Sequence, residues 1–65
     1  MNITKNEYGE ITHRGYTRED CESLIRDYEN QYEKYGDESY RLELEHWEQN
    51  LSIIEDMEYY QLQNN

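Results

Sequence analysis

Residues 17–39 read TREDCESLIRDYENQYEKYGDES, and this stretch decides the fold. Thr17 followed by Glu19 and Asp20 has the chemistry of a helix start. A hydroxyl can accept from the third helical amide, and acids face the positive end of the helix dipole. Cys21, Leu24, Ile25, Tyr28, Tyr32 and Tyr35 then recur at steps of three, one, three, four and three, which gathers them on one face at about 3.6 residues per turn. Gly36 supplies the left-handed stop. Asp37, Glu38 and Ser39 offer N-capping groups for a second helix immediately afterwards. The spacing therefore predicts helix 1 over 17–36, a sharp reversal, and helix 2 over 37–62, with 63–65 a frayed tail.

Working outward toward the C-terminus, Tyr40, Leu44, Trp47, Leu51 and Ile54 fall on one stripe at spacings of four, three, four and three. That stripe suits a coiled-coil-like seam against the first helix. Leu42, Ile53, Met57 and Tyr60 project to a different side and need cover. The N-terminal segment is the first candidate for that cover, with a second copy of the chain or a target as the others.

Toward the N-terminus the pattern changes. Ile3, Thr4, Tyr8, Ile11, Thr12 and Tyr16 favour extended backbone, while Asn6, Gly9 and Gly15 supply turn chemistry. Residues 1–16 are expected to form a β-hairpin or extended arm, with strands over 2–5 and 10–14 around a turn at 6–9. Such a hairpin is barely stable in water by itself and must lean on the helices. The fold class that results is mainly α: an antiparallel two-helix hairpin preceded by a short N-terminal β-hairpin, a small α+β domain spanning 1–65.

The 65 residues contain eight Tyr, one Trp and no Phe, so tyrosine supplies much of the apolar volume. Tyr hydroxyls seek partners or water, and the rings are expected at the rim of a thin core. A core this small gains from a homodimer or a partner. Low hydrophobicity with high net charge favours disorder, but the clean helical periodicity argues for an ordered chain.

Sixteen Asp and Glu against six Lys and Arg give a formal net charge of -10. Gripping nucleic acid requires cations that neutralise phosphates, so no direct nucleic-acid binding is expected. An anionic membrane surface would repel the chain, and no apolar run approaches the roughly 20 residues of a membrane helix. With no charged-then-apolar leader and a single cysteine, Cys21, the sequence points to a reducing cytoplasm. Cys21 itself reads as a small core residue.

Catalysis and metal binding find no support. His13, His46 and Cys21 show no metal-ligand spacing. Paired carboxylates can act as acid and base only in a pocket that separates their environments, and two helices make no such pocket. No cofactor and no enzymatic activity are expected.

The acids nevertheless form a pattern. Glu19, Glu22, Glu29 and Glu33 line the outside of the first helix, and Glu38, Glu45, Glu48, Glu55 and Asp56 the outside of the second, with ordinary pairs such as Glu22 with Arg26. Like charges at helical spacing repel by tenths of a kcal/mol per pair, and carboxylates one turn apart sit roughly 5–6 Å from each other. Phosphates along a nucleic-acid strand follow a comparable interval, so this surface can stand in for one. Steering by charge would speed association with a Lys/Arg-lined groove, and exposed rings, Tyr8 and Tyr59 foremost, would anchor it.

In size, acidity and helical build the chain resembles the small inhibitors that phages and other mobile elements direct against host defence enzymes, including anti-CRISPR and anti-restriction proteins. The likeness is one of type and rests on no motif. It implies a stoichiometric inhibitor without turnover, whose partner is a protein with a basic nucleic-acid-binding groove, such as a CRISPR nuclease or another DNA-handling enzyme. The alternative is a regulatory or interaction module that docks through the stripe of Leu42, Ile53, Met57 and Tyr60, on a partner helix or on its own copy.

Overall fold

The computed structural model describes residues 2–64. Two short strands, β1 (Thr12–His13) and β2 (Tyr16–Thr17), lead directly into α1 (Arg18–Tyr35), which is followed by α2 (Glu38–Gln63). This is the small α+β helical hairpin that the sequence implies. The molecule is a rod of 44 × 20 × 15 Å.

Local chemistry fixes both helix starts. The Asp20 amide donates to Thr17 Oγ1 at 3.1 Å, and the Thr17 amide donates back to Asp20 Oδ2 at 3.1 Å. Two amides that lack intrahelical partners are thereby satisfied reciprocally. Gly36 ends α1 at φ 65°, a left-handed conformation that costs glycine little, and its amide donates to the Tyr32 carbonyl. Asp37 caps α2 by accepting from the Ser39 amide at 2.9 Å. That bond favours the carboxylate and holds Asp37 below the usual carboxylate range.

The N-terminal segment departs from the expected hairpin. The turn at 6–9 forms: the Gly9 amide donates to the Asn6 carbonyl, and Asn6 Oδ1 accepts from the amides of Tyr8 and Glu10. Residues 2–5 and 10–14, however, do not make two regular strands. They meet through a bridge between Lys5 and Ile11, the Thr12 amide donating to the Thr4 carbonyl at 2.9 Å, and the Thr4 hydroxyl donating to the Thr12 carbonyl. The regular pairing is Thr12 with Thr17 and His13 with Tyr16. Arg14 and Gly15, both at positive φ (58° and 85°), make the two-residue connection between them. Positive φ at both positions is what a tight hairpin twist demands, and Arg14 conceals it because arginine seldom occupies that region.

Cover for the second stripe comes from this N-terminal layer. Cys21, Ile54 and Met57 form the buried core, with Ile3 and Ile11 from the N-terminal segment and Trp47, Leu51 and Ile53 packed around them. Cys21 thus takes the core position expected of it. Met57 is buried and Ile53 half-buried, whereas Leu42 and Tyr60 stay exposed. Tyr35, placed on the seam by its spacing, is also exposed and stacks at 6.1 Å on Tyr40. Buried Asn50 locks the layer to the helices, donating to the His13 carbonyl at 3.1 Å and to Cys21 Sγ at 3.2 Å. At the far end, α2 runs through Gln63 and is capped by Asn64, whose amide and side chain both donate to the Tyr60 carbonyl. The helix thus reaches one residue into the stretch 63–65 that the sequence reads as a frayed tail, and Asn65 lies outside the described residues.

Candidate acidic interaction face

Arg18 defines the geometry of the site. Its guanidinium sits at 2.5 Å from Glu58, 3.5 Å from Glu55 and 3.7 Å from Glu22. The hydrogen bonds to Glu58 foremost, opposed by partial desolvation and aided by the fields of Glu58, Glu55 and Glu22, hold Arg18 more firmly protonated than a free arginine. One cation thus ties the acids of the two helices together, and Glu22 pairs with Arg18 where the sequence suggested Arg26.

This junction puts Glu22 of α1 and Glu55 of α2 on one side of the hairpin. Glu29 and Glu33 lie seven and eleven residues beyond Glu22, close to two and three helical turns, and Glu48 lies seven residues before Glu55. In an antiparallel pair, Glu29 then comes level with Glu48 as Glu22 does with Glu55. By this spacing Glu29, Glu33 and Glu48, all exposed, continue the side marked by Glu22 and Glu55, with Arg26 set among the α1 acids.

Not every candidate joins it. Glu45 and Glu38 lie farther around α2 and close around Arg41 at 2.8 and 2.5 Å, which keeps Arg41 protonated, the bond from Glu38 contributing most. Arg41 itself, seven residues before Glu48, brings a cation to the end of the Glu48–Glu55 stripe. Glu19 lies near the start of α1, beside a groove of about 400 Å³ that Glu10, Ile11, Glu22, Glu58 and Gln61 also line. Asp56 and Tyr59 share a separate dent at the end of α2. Tyr8 is 79% exposed on the N-terminal turn and Tyr59 64% exposed, so the two rings are available but belong to different places.

Arg18 and Glu58 were not among the candidates read from the sequence. The spacing of Arg18 to Glu22 is a visible i, i+4 signal. Glu58, forty residues from Arg18, has no local one. Exposed ion pairs of this kind contribute at most about 1 kcal/mol each.

Among the described residues, no three His, Cys, Asp or Glu side chains converge as a metal-binding group, and no helix is long and apolar enough to cross a membrane. No protein-family model, curated protein or solved structure matches the chain.

Proposed function

We propose that the protein is a stoichiometric inhibitor that occupies a basic nucleic-acid-binding groove on another protein, by presenting the acidic face of its helical hairpin in place of a strand. On this reading it is of the anti-CRISPR or anti-restriction type, encoded by a phage or other mobile element and acting in the cytoplasm of the host cell. The observation that carries the reading is that Arg18 holds Glu22 of α1 and Glu55 of α2 on one side of the hairpin, a side that helical spacing continues through Glu29, Glu33 and Glu48.

Counted over all its sides, the chain carries a net charge of -10 along a 44 Å rod, about one charge per 4 Å, against roughly 3.4 Å for one strand and roughly 1.7 Å for a duplex. The rod is somewhat longer than one turn of B-form DNA, about 34–36 Å, so it can fill a groove that holds one turn. Its hydrogen-bonded caps and packed seam keep the charges in fixed register, which lowers the ordering cost of binding.

Apolar docking is the second reading, favoured by exposed Leu42 and Tyr60. It is weakened because Met57 is buried in the chain's own core and Ile53 is half-buried against it. Salt separates the two. The test is displacement of a fluorescent DNA oligonucleotide from CRISPR and restriction nucleases by the whole protein, at about 50 and about 200 mM salt. Charge imitation requires displacement at low salt that saturates at equimolar protein and weakens at least tenfold at high salt. Displacement that ignores salt, or none with any nuclease, counts against it.

A further inference from the structure

The two helices end differently, and the difference points to a second binding element. Lys34 lies in the last turn of α1 with its ammonium 5.2 Å from the Tyr35 ring centroid. A cation over an aromatic ring, at the negative end of a helix dipole, satisfies both at once. The last turn of α2 has the ring and the dipole but no basic residue.

There Tyr59 and Tyr60, 64% and 39% exposed, line a dent of about 410 Å³ together with Asp56, Gln63 and Asn64. The dent is held in shape by its own side chains. Gln63 Nε2 donates to the Tyr59 hydroxyl at 3.0 Å, and Asn64 donates to the Tyr60 carbonyl from its amide at 3.2 Å and its side chain at 2.9 Å. Asp56 stands one helical turn before Tyr59 and Tyr60, on the same side of α2. Aromatic ring, carboxylate and helix C-terminus all favour a positive charge, and no lysine or arginine lines the dent.

We infer that this dent takes an arginine side chain from the basic partner, stacked on Tyr59 and paired with Asp56, as Lys34 lies on Tyr35 at the end of α1. Arginine suits the site because its flat guanidinium can lie on a ring while its edge donates to a carboxylate. A second copy of this chain is disfavoured as occupant, since each copy carries a net charge of -10. The inference rests on the proposed function, which supplies a basic partner, and it adds the point at which that partner is anchored.

The test is titration of the isotopically labelled whole protein with a hexa-arginine peptide, read by amide and side-chain NMR shifts, in the native chain and in Asp56→Asn, Tyr59→Leu and Tyr59→Phe. Shifts should concentrate on Asp56, Tyr59, Tyr60, Gln63 and Asn64. Asp56→Asn together with Tyr59→Leu should weaken the peptide roughly five- to tenfold, while Tyr59→Phe, which keeps the ring face, should stay within about twofold of the native chain. All of these positions are exposed, so unchanged circular dichroism shows that the variants remain folded. Shifts confined to the face of Glu22, Glu29, Glu33, Glu48 and Glu55, or equal affinity in the double variant, would overturn the inference and leave the acidic-face reading standing. No shifts anywhere would overturn both.

Discussion

The two ends of the helical hairpin are built from similar residue types but held together differently. Where the N-terminal layer lies across the helices, Cys21, Ile54 and Met57 are almost wholly buried and Asn50 is hydrogen-bonded inside. At the tip, around the α1–α2 reversal, none of the described residues is fully buried, and three tyrosines lean on one another with Tyr40 6.4 Å from Tyr28 and 6.1 Å from Tyr35. The lesson is that pairing two amphipathic helices only half-buries their seam. Complete burial needs the third layer, and the chain places that layer over one half alone.

The comparison can be broken most forcefully at Ile54. A chain of this size has roughly 3–10 kcal/mol of stability to lose, and Ile54→Ala, which opens a cavity under the N-terminal layer, should remove about 2–5 kcal/mol in a urea titration. A loss below about 1 kcal/mol would mean that the layer does not seal the core. Asn50→Ala deprives the His13 carbonyl and Cys21 Sγ of a donor and should cost about 1–3 kcal/mol. Hydrogen exchange in that variant should accelerate first in β1 and its partner β2, because Asn50 supplies a hydrogen bond from α2 to β1.

At the tip the effects should shrink. Tyr40→Ala removes a half-buried ring and its two aromatic neighbours, yet it should cost less than Ile54→Ala, on the order of 1–2 kcal/mol, because its site is already wet. The smallest effect is electrostatic. The Ser39 amide lowers the pKa of Asp37, so its stabilising contribution is fully present above the ordinary carboxylate pKa and is lost as pH falls through the lowered folded value. Melting curves from about pH 5 down to about pH 2 should therefore show the native chain losing more than Asp37→Asn. Parallel curves would mean that the cap is not formed in solution.

These contrasts follow what the sequence could and could not reveal. Thr17, Gly36 and Asp37 act on amides within a few residues of themselves, so their roles were legible, and the helical period of Cys21 to Tyr32 and of Tyr40 to Ile54 announced the seam. The β register was not, because Arg14 occupies a turn position normally marked by Gly or Asn. Asn50 looks like any polar helix residue until the His13 carbonyl arrives from 37 positions away. Of the acidic face, the stripes on each helix could be read from spacing. Their alignment could not, since it depends on Arg18 meeting Glu55 and Glu58 across the hairpin.

That alignment is the central claim, and a pair of triple variants with equal charge change tests it most directly. Glu29→Lys, Glu33→Lys and Glu48→Lys reverse the shared face without touching the acids held by Arg18 or Arg41. Glu7→Lys, Asp27→Lys and Glu43→Lys alter net charge equally on other sides of the molecule. In competition with single-stranded DNA for a CRISPR nuclease, the first triple should lose at least tenfold in inhibition while the second stays within about threefold of the native chain, surface charges elsewhere being largely screened. Equal loss in both would reduce the effect to net charge, and full inhibition by the first triple would contradict the account.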